Sequence, residues 1–128
     1  LVTWDFSPKS IDTLNSDQVI TFTAHITDDL SGLNYAVAWF FGPSGQRSPV
    51  LFRSSRDLVS GTPQDGIYVS RMVFSRFSAT GDWSLDYIYL LDKAGNNGFL
   101  YPPKMIQRGL PILIQVTNQG NDFLEGNP

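Results

Sequence analysis

The chain has 128 residues, a length typical of a single domain and sufficient to bury a hydrophobic core. Hydrophobic residues make up 41% of it and aromatic residues 13%, which excludes an intrinsically disordered chain. The net charge of -3 comes with no basic cluster, and cysteine is absent, so we expect neither a nucleic-acid partner nor disulfides or thiolate-bound zinc.

Alternation of apolar and polar residues, the pattern of β-strands, dominates the chain, and no stretch shows helical periodicity. In chain order, the clearest strands are predicted near residues 18–27, 33–41, 66–74 and 82–92. Weaker strands are predicted around Val2–Phe6, Ile11–Leu14, Pro49–Arg53 and Pro111–Thr117. In the last of the clear strands the apolar residues change face near Asp86–Tyr87, which indicates a β-bulge.

Turn signals separate these strands, at Gly42–Gln46, Ser60–Gly66, Ser78–Asp82 and Ala94–Gly98. About seven short strands in a chain of this length predict an all-β antiparallel sandwich. We expect its core to hold the inward residues of the alternating sets, namely Ile20, Phe22, Ile26, Phe40, Tyr68, Met72, Phe74, Trp83 and Leu85. The longest apolar run, Ala36–Phe41, is too short to span a bilayer, so we expect no membrane insertion.

In their order and spacing, the segments HITDDLSGL, GPSGQ, SGTPQDGIY, GDWSL and LLDKAGNN resemble bacterial immunoglobulin-like domains of large secreted and cell-surface proteins. The resemblance covers residues 7–117 and implies an immunoglobulin-like sandwich. It implies adhesion, spacing or display rather than catalysis. Its implied partners are neighbouring domains of the same chain, a polysaccharide or a surface protein, and several related families bind calcium at loop ends.

Accordingly, the sandwich is expected to span residues 1–118, and residues 119–128 to form a linker or the start of the next module. The segment Gly120–Pro128, GNDFLEGNP, resembles one turn of the glycine-aspartate calcium-binding nonapeptides of secreted toxins and proteases. One copy cannot build a parallel β-roll, because each turn needs neighbours to bury its face. A plain linker and the first repeat of an array therefore both stay open. Both interpretations favour a secreted or cell-surface parent, of which this chain, starting at Leu1 without a signal peptide, would be a piece.

Catalytic chemistry has few residues to use in this sequence. His25 is the single histidine and lies in mid-strand, and no G-x-S-x-G nucleophile elbow occurs. The adjacent Asp28 and Asp29 do not form the separated, facing pair of carboxylates that a glycosidase requires. We therefore predict no catalytic residues and no enzyme activity.

Two acidic motifs, DDLSG at Asp28–Gly32 and DKAGN at Asp92–Asn96, each follow a predicted strand. Because successive strands alternate in direction, both loops should lie at one end of the sandwich, together with the turn that carries Asp65. Crowded carboxylates raise their pKa values or recruit a cation, and oxygen ligands suit calcium. The predicted calcium ligands are Asp28, Asp29, Asp65, Asp92 and Asn96. In the alternative, the aspartates cap tight turns by accepting backbone hydrogen bonds.

Aromatic residues in the strand Leu33–Phe41 suggest a binding surface. If its small residues face the core, Tyr35, Trp39 and Phe41 face outward. Tyr87 or Tyr89 of the adjacent strand would then lie close to them. Outward aromatic side chains on a sheet suit stacking on sugar rings or contact with a neighbouring domain. In the alternative, Trp39 is the buried tryptophan common in such sandwiches. The sequence therefore favours two functions: a structural or adhesive module stiffened by calcium at one loop end, and a carbohydrate-binding module that uses the aromatic residues.

Overall fold

The computed structural model describes residues 1–118, so the predicted linker and the nonapeptide-like segment lie outside the described residues. Its strands are β1 (Thr3–Ser7), β2 (Ser10–Asp12), β3 (Gln18–Thr27), β4 (Leu33–Phe41), β5 (Arg47–Arg53), β6 (Leu58–Thr62), β7 (Asp65–Phe74), β8 (Gly81–Asp92), β9 (Asn97–Leu100) and β10 (Leu113–Thr117). A 3-10 turn occupies Pro43–Gly45 and a helix, α1, Pro102–Gln107. Across residues 1–118, no helix is long and apolar enough to cross a membrane.

The strands form two sheets, as predicted for an all-β sandwich. One sheet has the order β1-β3-β7-β6, and the other has the order β2-β10-β8-β4-β5. Strand β9 also pairs with β8, along the half of its edge that β10 leaves free. The four clearest predicted strands are confirmed with ends that differ by at most one residue. The finer immunoglobulin-like assignment stays a prediction.

The core lies between the sheets and is built from the inward residues of each alternating set. Every residue predicted for the core is buried. At its centre, four rings contact one another pairwise with centroid distances of 4.9–6.1 Å: Trp4, Phe6, Phe22 and Phe40. Because these rings come from both sheets, the cluster holds the two layers together.

A β-bulge in β8 decides which of its side chains face outward. Trp39 pairs with Tyr87, but the next residue of β4, Phe40, pairs with Leu85, which leaves Asp86 as the extra residue. Before the bulge Leu85 faces the core, whereas after it Tyr87 faces solvent. The bulge predicted from the change of apolar face is therefore confirmed, and it presents the tyrosines of β8 on the outer surface.

The sequence pattern does not reveal helix α1. Its first turn contains Pro102 and Pro103. Proline suits the start of a helix because it lacks a backbone N–H, and an N–H in the first turn would have no partner within the helix. Six residues are too few to produce a visible helical period. Met105 is fully buried, and the Trp4 indole donates a hydrogen bond of 2.9 Å to the carbonyl of Pro111, just after the helix. The helix thus closes the side of the sandwich between β1 and β8.

Two short strands, β6 and β9, also lie where the sequence predicts turns. Strand β6 overlaps the predicted turn Ser60–Gly66, and β9 begins inside the predicted turn Ala94–Gly98. Both are mostly exposed, so they lack the alternation of apolar and polar residues that reveals a half-buried strand. Their hydrogen bonds to the longer strands β7 and β8 make them strands.

Candidate functional site

The two acidic motifs meet at one end of the sandwich. The backbone N–H of Lys93 donates to the carbonyl of Gly32 at 3.0 Å, which joins the DKAGN loop to the DDLSG loop. The turn between β6 and β7 arrives at the same end, where Leu33 N–H donates to the carbonyl of Pro63 at 2.9 Å. Gly32 has a φ of 89° and would clash with Pro63 if it carried a Cβ, since that atom would lie 2.8 Å from the proline Cβ. The loops therefore pack closely.

At this end, Asp28 and Asp92 accept hydrogen bonds within their own loops. Asp28 Oδ2 accepts from the Gly32 N–H at 2.6 Å. Asp92 Oδ1 accepts from the N–H groups of Ala94 and Asn96 at 3.0 and 2.8 Å, and its Oδ2 accepts from the Asn96 side-chain amide at 3.0 Å. Burial raises the pKa of Asp92, but hydrogen bonds from Asn96, Ala94 and Ser31 lower this pKa by more, so it lies below its usual value.

Two of the predicted calcium ligands, Asp29 and Asp65, do not line the cleft that the others share. Asp28, Asp92 and Asn96 line one cleft of about 170 Å³, but Asp65 pairs with His25 at 2.6 Å and Asp29 is exposed. Within the described part of the chain, no three His, Cys, Asp or Glu side chains lie together as a metal would need. The hydrogen bonds that Asp28 and Asp92 accept support the turn-capping alternative. Calcium binding stays a prediction that a thermal melt can test.

If Asp92 is a turn cap, Asp92→Ala should lower the Tm by the same amount in excess calcium and in excess chelator. The loop loses the acceptor of three hydrogen bonds, with or without calcium. Because the pKa of Asp92 is lowered on folding, its stabilisation should be present above a pH of about 4 and disappear as the pH falls through the folded-state pKa. Differential scanning fluorimetry across pH measures both effects.

The matched control is Asp29→Ala, which removes an exposed carboxylate from the same end and should leave the Tm unchanged. A rise of the wild-type Tm with millimolar calcium, lost in both Asp28→Ala and Asp92→Ala, would contradict turn capping and support the calcium interpretation.

A different surface carries most of the described aromatic rings that are not buried. Side chains from β4, β8 and β9 and the residue after β9 form a group that we call the aromatic face: Tyr35, Trp39, Tyr87, Tyr89, Phe99 and Tyr101. Strand pairing places Tyr87 beside Trp39 and Tyr89 beside Phe99 on the outer side of the larger sheet. The Tyr89 ring lies 6.0 Å from Tyr35 and 5.0 Å from Phe99, between centroids. Apart from Trp39, which lies beside Tyr87 in the strand pairing, the rings of the face form a continuous set of contacts across β4, β8 and β9.

Trp39 lies on this outer surface and not in the core. It is half-buried, and the Arg47 guanidinium lies over its ring at 5.3 Å from the centroid. Arg47 also pairs with Asp86, the bulged residue, at 2.9 Å. The alternative of a core Trp39 is therefore wrong, since the buried tryptophans are Trp4 and Trp83.

Of the other residues that the sequence places on the binding face, Tyr35 is half-buried among the rings. Phe41 is exposed at the end of β4, opposite Arg47 and Ser84. Phe41 therefore lies outward as expected, but at the end of its strand and apart from the aromatic face.

Sequence reasoning missed Phe99 and Tyr101, the most exposed rings of the face. Their side chains are 50% and 54% exposed, and the rings are nearly parallel, 8° apart in orientation with centroids 6.0 Å apart. The turn predicted at Ala94–Gly98 hides the short strand β9, which carries Phe99. The signal available was the spacing of two aromatic residues at i and i+2, which places both on one face of an extended chain.

Residues 10–116 match the model of the family described as "Domain of unknown function (DUF7743)". No curated protein matches the chain. The matched range begins in β2 and ends in β10, so it includes both acidic motifs and the whole aromatic face. Since it spans most of the 128 residues, the chain belongs to this family of domains of unknown function.

Proposed function

We propose that this chain is a non-catalytic structural and adhesive module of a bacterial secreted or cell-surface multidomain protein, and that it makes contact through the aromatic face. The observation that carries the proposal is the set of contacting rings on the outer side of the larger sheet. Contiguous exposed aromatic surface on a soluble domain generally marks an interaction site. The extracellular setting rests on the resemblance to tandem bacterial immunoglobulin-like domains.

The directions of the first and last strands support a spacer role. Strand β1 begins at Thr3, opposite His25, close to the acidic end where β3 and β8 both stop. In β10, Val116 pairs with Gly81, the first residue of β8, at the other end. The chain therefore enters and leaves the sandwich at opposite ends, a geometry in which neighbouring domains follow one another in line.

The position of the single histidine supports a non-catalytic role. His25 lies on the outer side of the smaller sheet, paired with Asp65, whereas the aromatic face lies on the outer side of the larger sheet. A general base must lie within hydrogen-bond reach of a bound substrate. A ligand on the aromatic face would have the whole sandwich between itself and this imidazole.

Beads coated with the domain test the proposal. We expect them to bind one another, immobilised polysaccharides or the flanking domains of the parent protein. The double substitution Phe99→Ser/Tyr101→Ser should abolish that binding without lowering the Tm, since both rings are half exposed. A matched control is Val59→Ser/Phe77→Ser, which removes exposed apolar residues outside the aromatic face and should leave binding intact. Equal binding by the Phe99→Ser/Tyr101→Ser variant, or turnover of a bound polysaccharide, would contradict the proposal.

A second candidate function is carbohydrate binding, favoured by the parallel, exposed rings of Phe99 and Tyr101. Flat aromatic rings stack against the apolar faces of sugars. Trp39 is the single tryptophan on the outer surface, because Trp4 and Trp83 are buried. Its fluorescence should respond saturably to a bound oligosaccharide, and Trp39→Phe should remove the response. Repeating the titration with chelator separates sugar binding from any effect of calcium.

A further inference from the structure

We propose that a cleft beside the aromatic face binds an acidic saccharide, a sugar chain whose rings carry carboxylates. This inference rests on the second candidate function and names its ligand class. The cleft lies between β9 and α1 and has a volume of about 540 Å³. Pockets that hold small ligands have volumes of about 300–1,000 Å³, so a sugar unit fits the space.

One wall of the cleft is apolar. It is formed by Phe99 and Tyr101, whose rings are nearly parallel, and by Pro103 at the start of α1. Buried rings in the core meet at angles from 13° for Trp4 and Phe40 to 88° for Phe74 and Trp83, and they have no surface open to a ligand. Parallel, half-exposed rings offer instead a surface for a flat ligand that has C–H groups on its face, which is how sugar rings meet aromatic side chains.

The other wall is cationic and has no charged partner. Lys104 and Arg108 lie one helical turn apart and both line the cleft, together with the amide of Gln107. In residues 1–118, the ion pairs involve other side chains, and no Asp or Glu lines this cleft. Arg108 Nη1 donates to the carbonyl of Leu1 at 2.6 Å. A guanidinium has five N–H donors, so most remain for a ligand.

Charge and shape together select the ligand. The chain has a formal charge of -3, so a cleft with two cations and no carboxylate is a local reversal of sign that attracts anions. An arginine binds carboxylates through paired hydrogen bonds, and the ring pair binds the sugar to which the carboxylate is attached. Two cations are too few for a nucleic-acid backbone, which needs many phosphate contacts. An acidic peptide has the charge but lacks the flat rings that match Phe99 and Tyr101.

Isothermal titration calorimetry of the intact chain with a short oligogalacturonate tests the proposal. The methyl ester of the same oligosaccharide is the matched ligand, since it keeps the sugar rings and removes the charge. We expect the acid to bind at least about ten-fold more tightly than the ester, a difference that salt reduces. Lys104→Glu should weaken binding of the acid about ten-fold or more. Lys93→Glu, at the acidic end of the sandwich, should leave binding unchanged, and the Tm of each variant confirms folding.

The outcomes separate this inference from the functions on which it rests. Equal binding of acid and ester, or no effect of Lys104→Glu, overturns the assignment of the cationic cleft to an acidic saccharide, while carbohydrate binding stands. No binding of any saccharide overturns both, and leaves adhesion through protein partners to the bead experiment. Binding of a polyglutamate peptide as tight as that of the oligogalacturonate overturns the assignment to a saccharide.

Discussion

Phe22→Ala is expected to lower the free energy of unfolding by about 3–5 kcal/mol, a large part of the roughly 5–15 kcal/mol that holds a domain folded. The Phe22 side chain is completely buried on β3. Its ring contacts Trp4, Phe6 and Phe40 with centroid distances of 5.4, 4.9 and 5.8 Å. Removing it leaves a cavity lined by large rings held on two other strands, β1 and β4, and these rings cannot move together to fill the space.

Urea unfolding followed by the near-ultraviolet signal of the buried tryptophans measures this loss. Val19→Ala is the matched control, because Val19 lies on the same strand but faces solvent. It should change stability by less than about 0.5 kcal/mol. If both substitutions lower the free energy of unfolding by the same amount, the aromatic cluster is not what joins the sheets.

Met105→Ala is expected to lower the free energy of unfolding by about 2–5 kcal/mol, although it lies in a helix of six residues. A helix this short has little stability of its own, so its packing must hold it in place. Met105 provides that packing, since it is the buried residue of α1. Losing it should also loosen the wall that carries Lys104, so binding of the oligogalacturonate should weaken together with stability.

The neighbouring substitution Ile106→Ala is the matched control. It removes an apolar side chain of similar size that is exposed on the same helix, and it should change neither stability nor binding appreciably. A small effect of Met105→Ala, equal to that of Ile106→Ala, would contradict the role of α1 in closing the sandwich. Chemical denaturation and calorimetry on the same samples give both quantities.

Long, half-buried strands were predictable because a strand that buries one side has alternating apolar and polar residues in its sequence. The same pattern revealed the bulge at Asp86, where the alternation changes phase, and hence the outward position of Tyr87. Helix α1 was not predictable in this way. It buries one side chain, Met105, and one residue creates no period. Strands β6 and β9 were not predicted for a related reason, because almost none of their side chains are buried.

The candidate sites were predictable to the level of loops and faces. Strand direction brings the DDLSG and DKAGN loops together, and alternation places Tyr35 and Trp39 on an outer surface. What each carboxylate bonds to depends on backbone geometry inside the turn, which composition does not reveal. Asp92 and Asp65 are the same residue type and both lie near predicted turns. In the structure, Asp92 accepts hydrogen bonds from its own loop, whereas Asp65 pairs with His25. The cleft beside α1 could not be predicted, because the sequence pattern does not reveal this helix.

Chemical-shift mapping by NMR tests the central claim, that the domain makes contact through its aromatic face, most directly. The isotope-labelled chain would be titrated with the short oligogalacturonate and, separately, with the flanking domains of the parent protein. Shifts confined to β9, α1 and the outer side chains of β4 and β8, with the acidic loops and His25 unchanged, are the predicted result. Shifts centred on Asp28–Gly32 and Asp92–Asn96, or on the smaller sheet, would contradict the claim.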